Sequence, residues 1–514
     1  MSKFSAIPNS IFHQVKKTKT VGSRLATLMA GASPIVLGAV FNAAMPNEGR
    51  PQAVNIGGLT SNNIVADGRT KTKITVTGNH TKIRTDTVSA GVGFNTFSDF
   101  QQAAGQRVDL FVPDQAGSLV NIVSNGAVVI NGELNSFKDG KIGGNVFFSN
   151  SNGFIVGASG RVNVGSLTVN TPTQAFLDRI VGANGAINNA VAQQLMRGEI
   201  PISPNGVISI AGKISAEGGI TLQGHTVMVT GITGPLTGDD IGQRVKFGAT
   251  VNSTGMLEGG ALVSRGGQIS IVAAGNATIG GRVNANAKTN GAGGKVSVKS
   301  VGDITVEGTA EISADGAGAD GAGGEIIFFA DTKITTESGA SFSAHGAGTG
   351  DGGFIEISGK YAKIGGGLYD LGSDLGRAGT LLFDPFDLLI DASDVRITGG
   401  ANISLVADNS ITIASGGVLD STNGLATAGN ISIEAPKITL ANGSTVNAGT
   451  TGDVTLTATQ TSGGAAEIII GDGTGAAPIL HGKDITLTAT STVDNFALLV
   501  AAPTATAKVT ITSG

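Results

Sequence analysis

The chain has 514 residues, of which 81 are glycine and two tyrosine, with no cysteine or tryptophan. The missing cysteine excludes disulfides, thiolate catalysis and cysteine-ligated zinc together, and it suits a chain that crosses a narrow pore unfolded. The formal charge is −5; residues 1–53 removed, it becomes 27 cations against 37 anions, with no basic cluster left to neutralise phosphates, which argues against nucleic acid as a partner.

Lys3, Lys16, Lys17, Lys19 and Arg24 precede an uncharged apolar run, LATLMAGASPIVLGAVFNAAM, from Leu25 to Met45. A basic start followed by an apolar stretch reads as an export signal over residues 1–53, cut between Ala44 and Ala53. Pro34 and the many small residues weaken the same run as a membrane anchor. From about Val54 to Val164 the pattern is less regular and gathers the scarce aromatics at Phe94, Phe97, Phe100, Phe111, Phe147, Phe148 and Phe154. This region is expected to cap the open strand edge of a repetitive array. Between Thr173 and Ile200, two helix-like patches (Phe176, Leu177, Ile180 and Val191, Leu195, Met196) predict a helical excursion packed on the flank. A surface insertion without a role is the bland alternative.

Glycines punctuate runs such as ITVTG, VSVKS and ISIEA, whose β-branched residues predict strands and turns. Beyond residue 260 the pattern repeats. Gly266-Gly267-Gln268-Ile269, Gly293-Gly294-Lys295-Val296, Gly323-Gly324-Glu325-Ile326 and Gly352-Gly353-Phe354-Ile355 start 27, 30 and 29 residues apart. Ile304, Ile334 and Ile364 form a second set, and Val283, Ile312 and Phe342 a third. Three short alternating segments per period, with glycine corners, predict an all-β fold, a right-handed three-sided parallel β-helix with inward ladders of Ile and Val. After LLFDPFDLLIDASD (Leu381 to Asp394) the pattern resumes: Ile403 recurs at Ile431, Ile411 at Ile438 and Val418 at Val446. About fifteen coils fit after the signal. The expected organisation is a capped β-helical domain over 54–300, glycine-rich coils over 301–380, a junction over 381–398 and further coils over 399–514. The last residues, Val509 to Gly514, stop in mid-pattern, as expected of a truncated gene product or a fragment of a longer protein.

Polysaccharide-degrading β-helices carry clustered carboxylates on one outer face. Asp239-Asp240 with Gly224-His225-Thr226 resembles fragments of the polygalacturonase pattern, but in reversed order and without its other elements, so solvated loop residues are the simpler reading. Asp384, Asp387, Asp391 and Asp394 have the oxygen chemistry that calcium takes, yet the interleaved Pro385, Phe386, Leu388, Leu389 and Ile390 favour a structural junction. DGAGADGAGG (Asp315 to Gly324) approaches the calcium-binding nonapeptide, with Ala322 where a large apolar residue is needed. His80, His225, His345 and His481 are scattered, and there is neither a Gly-x-Ser-x-Gly elbow nor a phosphate loop. The expectation is a chain that is not an enzyme, with no catalytic, cofactor or metal site.

GGNVFFSNSNGFIVG (Gly143 to Gly157) sets two apolar runs either side of Asn150-Ser151-Asn152-Gly153. Asn-Gly predicts a turn whether or not anything reads it. Together with FNTFSDFQQAAGQRVDLFVPDQAGSLVNIVSNGAVVINGEL upstream, this stretch resembles the N-terminal secretion domain of filamentous haemagglutinin-like adhesins exported by two-partner secretion, leukotoxin-type filamentous adhesins in particular. The resemblance covers residues 54–300 and, more loosely, the glycine-rich coils and GTLLFDPFDLLID; the long basic start is similar to the extended signals of these proteins. It implies a Gram-negative protein that reaches the periplasm by Sec-type export and crosses the outer membrane through a partner transporter. Secreted or held at the surface, it would attach to a glycan or protein of a host surface or to biofilm matrix. The family's hallmark is Asn-Pro-Asn-Gly, tied to secretion competence; Ser151 stands in place of the proline, which leaves one φ angle unset. Asn121, in LVNIV, matches another asparagine of the family, and its implied role is internal hydrogen bonding. A turn alone and a turn read by the transporter both stay open for Asn150 to Gly153. The alternative function is an extracellular β-helical enzyme acting on polysaccharide.

Overall fold

The computed structural model describes residues 59–229 and 261–513, apart from 265–266, 392–393, 399, 423–427, 461–465, 473–474, 492–495, 501–503 and 506–507. The export signal, its cleavage stretch, Asp239 and Asp240 lie outside the described residues. The fold is an all-β parallel solenoid of about 13 turns. It falls short of fifteen because antiparallel hairpins and two helices take up residues that coils would otherwise use. The described residues form two compact units, one running to Ser215 and taking in Leu222–Val227, the other comprising Ala216–Thr221 and the chain from Met228 onward.

The first unit opens antiparallel. Asn63–Ala66 pairs with Val92–Gln102, Thr72–Thr77 with His80–Thr85, and Val88–Ser89 turns back on Val92 and Gly93. Parallel coils begin immediately afterwards: Val92–Gln102 with Ser118–Val123, then Ser118–Val123 with Asn145–Asn150. The antiparallel cap is therefore shorter than the 54–164 region expected, and most of the phenylalanines belong to coils. Phe97, Phe100, Phe148 and Phe154 are buried inside, each ring 5.2–5.4 Å from the next.

Helix α1 (Gln174–Leu177) and helix α2 (Asn189–Met196) lie on this unit's flank. Asn188 caps α2 by accepting from the Val191 backbone N–H at 3.3 Å, the pairing that satisfies a donor at a helix start. Phe176, Leu177, Ile180, Val191 and Leu195 form one buried cluster with Phe94, Val120, Ile122 and Phe147. The strands beneath are thus apolar on both faces, which explains their continuous apolar runs.

In the second unit several coils contribute three short strands, such as Gln268–Ala273, Ala277–Ile279 and Arg282–Asn284, while in others two of the three run together, as in Glu325–Thr336 and Phe354–Ile364. Ile269, Val296, Ile326 and Ile355 stack in register, as do Val283, Ile312 and Phe342. One ladder differs from expectation: Ile334 follows Ile304, but the next coil places Ala362 on it, and Ile364 meets Thr336. The coil there already pairs at a spacing of 29 residues rather than 30 (Ala330 with Gly359), and a bulge between Ala330 and Lys333 absorbs one residue more, which leaves 28 (Ile334 with Ala362). Val418 likewise pairs with Thr445, and Leu419 with Val446. The double glycines sit where coils touch at a corner; a Cβ on Gly324 would lie 2.0 Å from the Gly294 carbonyl oxygen.

The stretch 381–398, expected as a junction, contains most of a regular strand, Thr380–Ile390. It pairs with Phe354–Ile364 before it and with Asn402–Val406 and Ser410–Ile413 after it. Alternation explains this, since Leu381, Phe383, Leu388 and Ile390 are buried while Asp384 and Phe386 face out. Phe328, Phe342, Tyr369 and Phe383 form a ring ladder through these coils, with Phe342 and Tyr369 stacked at 4.9 Å.

Candidate functional site

The tetrapeptide joins the strands Asn145–Asn150 and Gly153–Val156. Asn150 is 2 % exposed and works in both directions. Its Nδ2 donates to the carbonyls of Val123 (2.8 Å), Gly126 (2.8 Å) and Asn125 (3.3 Å) in the preceding coil. Its Oδ1 accepts from the N–H groups of Asn152 (2.8 Å) and Gly153 (2.7 Å), closing the turn. One carboxamide thus shapes its own turn and clips it to the coil below. Gly153 sits at φ +130°, and a Cβ there would come within 2.2 Å of the Val207 carbonyl oxygen, so only glycine fits.

Ser151 is buried, and its hydroxyl donates to Gln174 Oε1 of α1 at 3.1 Å; Gln174 Nε2 in turn donates to Asp178 at 2.8 Å. Asn152 is half-buried, and its carboxamide has no hydrogen bond among the described residues. Of the four residues it alone presents an uncommitted polar side chain to a visitor.

Asn121 belongs to a different, internal column. Fully buried, it accepts from Asn95 Nδ2 at 3.0 Å and donates to the Phe147 carbonyl at 3.1 Å, while Asn95 Oδ1 accepts from Thr72 at 2.9 Å. A polar line thus ties the cap hairpin to the first coils. A buried amide with every bond made is cheap, and one left unmade costs about 1–3 kcal/mol. Sequence reasoning missed the grip of Asn150 on Val123, Asn125 and Gly126. The available signal was the earlier Asn125-Gly126 pair, one coil before Asn152-Gly153.

The acidic residues of 384–394 are spread along the ladder. Asp387 accepts from Asn409 and Ser410, both at 2.6 Å, and Asp391 pairs with Lys363 at 2.7 Å. Burial first, and then Asp408, push the Asp384 carboxyl above the usual range. Among the described residues, no group of three or more His, Asp or Glu is placed to hold a metal ion. The histidines stay apart: His80 meets Asp109 at 2.7 Å, His481 meets Asn447 at 3.0 Å, and burial lowers His225. His345 lies between Asp370 (3.1 Å) and Asp374 (3.3 Å).

No family model and no curated protein matches the chain. Among solved structures it is similar to the crystal structure of the HMW1 secretion domain from Haemophilus influenzae. That likeness has 17% identity and a TM-score of 0.41, and it covers 88% of this chain and 100% of that one.

Proposed function

We propose that the chain is a two-partner-secretion exoprotein of the filamentous adhesin kind, exported through a partner outer-membrane transporter and attaching to a host surface or biofilm matrix. The observation that carries the reading is the tetrapeptide, which occupies a built coil corner in a capped first unit. Asn150 and Gly153 make the corner; the Asn152 carboxamide is the part a transporter module reads. The chain crosses the membrane unfolded. The capped coils form first outside, and each later coil gains most of its contacts from its predecessor. Folding that cannot reverse through the pore biases movement outward without external ATP.

Attachment tests this function. Gram-negative cells carrying both the chain and a family-type transporter are expected to adhere to epithelial layers and to form biofilm beyond cells carrying either alone. Equal adhesion by all three would overturn the adhesin reading.

A further inference from the structure

A groove of about 1180 Å³ runs across successive coils of the second unit. Its floor is the column of corner glycines, which packing alone demands: a Cβ on Gly353 would lie 2.1 Å from the Gly324 carbonyl oxygen. With no side chain able to fill the corner, the floor is flat. Its backbone is also committed, because the N–H groups of Glu325, Phe354, Thr380 and Asn402 donate to the carbonyls of Gly294, Gly324, Gly353 and Gly379 in the preceding coils. A peptide laid there would find no strand edge to pair with.

One rim of the groove is a single column of side chains. Register stacks Lys295 on Glu325, Glu325 on Phe354, Phe354 on Thr380 and Thr380 on Asn402; Asn430 follows Asn402, because Ile403 stacks on Ile431. Rungs about 4.8 Å apart make this column about 24 Å long. The charges lining the groove cancel in pairs, Lys295 with Glu325 at 2.8 Å and, on the far side of the glycines, Arg377 with Asp351 at 2.7 Å. Asn402 Oδ1 accepts from the Asn430 N–H and Asn430 Oδ1 from the Asp453 N–H, both at 2.9 Å. Each carboxamide is thereby fixed by its oxygen, while its Nδ2 has no partner among the described residues, and neither has the Thr380 hydroxyl. The half-buried Phe354 ring sits between the polar rungs of Glu325 and Thr380.

We propose that this groove binds a neutral polysaccharide laid along the column. The proposal deepens the attachment reading, on which it rests, by giving it a site and a ligand class. A sugar has an apolar ring face, which the Phe354 ring covers, and hydroxyls around its edge that both donate and accept. Those hydroxyls accept from the Nδ2 groups of Asn402 and Asn430 and exchange bonds with Thr380 and Glu325. An anionic polymer finds no uncompensated cation here, and a peptide finds no open edge.

The test titrates the purified full chain with four fluorescent neutral hexasaccharides, of β-linked glucose, galactose, mannose and N-acetylglucosamine, beside polygalacturonate and an alternating Thr-Val peptide. At least one hexasaccharide is expected to bind, with little dependence on salt. Asn402→Asp keeps the bond from the Asn430 N–H and loses only the outward donor; Phe354→Leu keeps apolar bulk and loses the flat ring. Each is expected to bind about tenfold more weakly. Asn205→Asp, exposed in the other unit, adds the same charge and is expected to bind as wild type does. No binding of any hexasaccharide would overturn the proposal, as would tighter binding of polygalacturonate or of the peptide, or equal effects of Asn402→Asp and Asn205→Asp. Cells that adhere although no hexasaccharide binds would strike the groove and spare the attachment reading. Binding by a chain whose cells do not adhere would strike that reading and keep the groove.

Discussion

Replacing Asn150 by alanine removes one carboxamide and orphans five backbone groups. Two of these contacts, to the Val123 carbonyl and from the Gly153 N–H, are buried; the other three are partly buried. A buried polar group left unpaired costs about 1–3 kcal/mol, so the two buried contacts alone predict a loss of about 2–6 kcal/mol for the first unit. Asn150→Asp should be at least as harmful, because it turns a carboxylate oxygen toward three carbonyl oxygens. Tyrosine fluorescence would report the wrong unit, since Tyr361 and Tyr369 both lie in the second. Amide hydrogen exchange over 118–130 and 145–156 is the suitable assay, with protection converted to local opening free energy. A loss below about 1 kcal/mol would refute the view that Asn150 holds the corner. Asn152→Ala, whose carboxamide has no bond among the described residues, is expected to leave this protection unchanged.

Gly153→Ala forces a side chain onto the Val207 carbonyl at φ +130°, and a destabilisation of about 3 kcal/mol, read by the same exchange experiment, is expected. Phe342→Ala empties a ring position between Phe328 and Tyr369; a loss of about 3–5 kcal/mol is expected in urea unfolding followed by tyrosine fluorescence. At His345, burial pushes the imidazole down, but the bonds to Asp370 and Asp374 outweigh it and hold it above its ordinary 6.5. A raised folded value means that the stabilisation is fully present below pH 6.5 and is lost as pH rises through the folded value. Asp315 adds to the negative surroundings, its carboxylate accepting from the His345 N–H. His345→Gln should flatten this part of the pH profile in urea unfolding of the second unit, and an unaltered profile would reject the assignment.

The coil was legible wherever one residue type recurred at one spacing. Ile269, Val296, Ile326 and Ile355 could be aligned by eye because glycine pairs mark each corner, and their register in the structure agrees. Ile364 misled because the coil is one residue shorter than the 30 assumed and a bulge removes one more, and bulges leave no mark in a hydrophobic pattern. The acidic run around Asp384 looked like an interruption because its charges alternate with apolar residues, which is what a strand with one wet face requires. The turn at Asn150 to Gly153 was visible from Asn-Gly alone. Its bonds to Val123, Asn125 and Gly126 were not, because they join residues about one coil apart and depend on register. The Arg84 guanidinium lies 3.7 Å from the centroid of Phe111, whose ring stacks on Phe137 at 5.7 Å, and this was hidden for the same reason, since the three residues sit on neighbouring strands but far apart in sequence.

The most direct measurement is the amount of mature chain that reaches the medium or the cell surface of a Gram-negative host, with and without a family-type outer-membrane transporter. The account predicts transporter-dependent appearance, reduced by Asn152→Ala although that variant folds normally. Export indifferent to the transporter would contradict it, and would leave Asn150 to Gly153 as a turn that holds two coils together and nothing more.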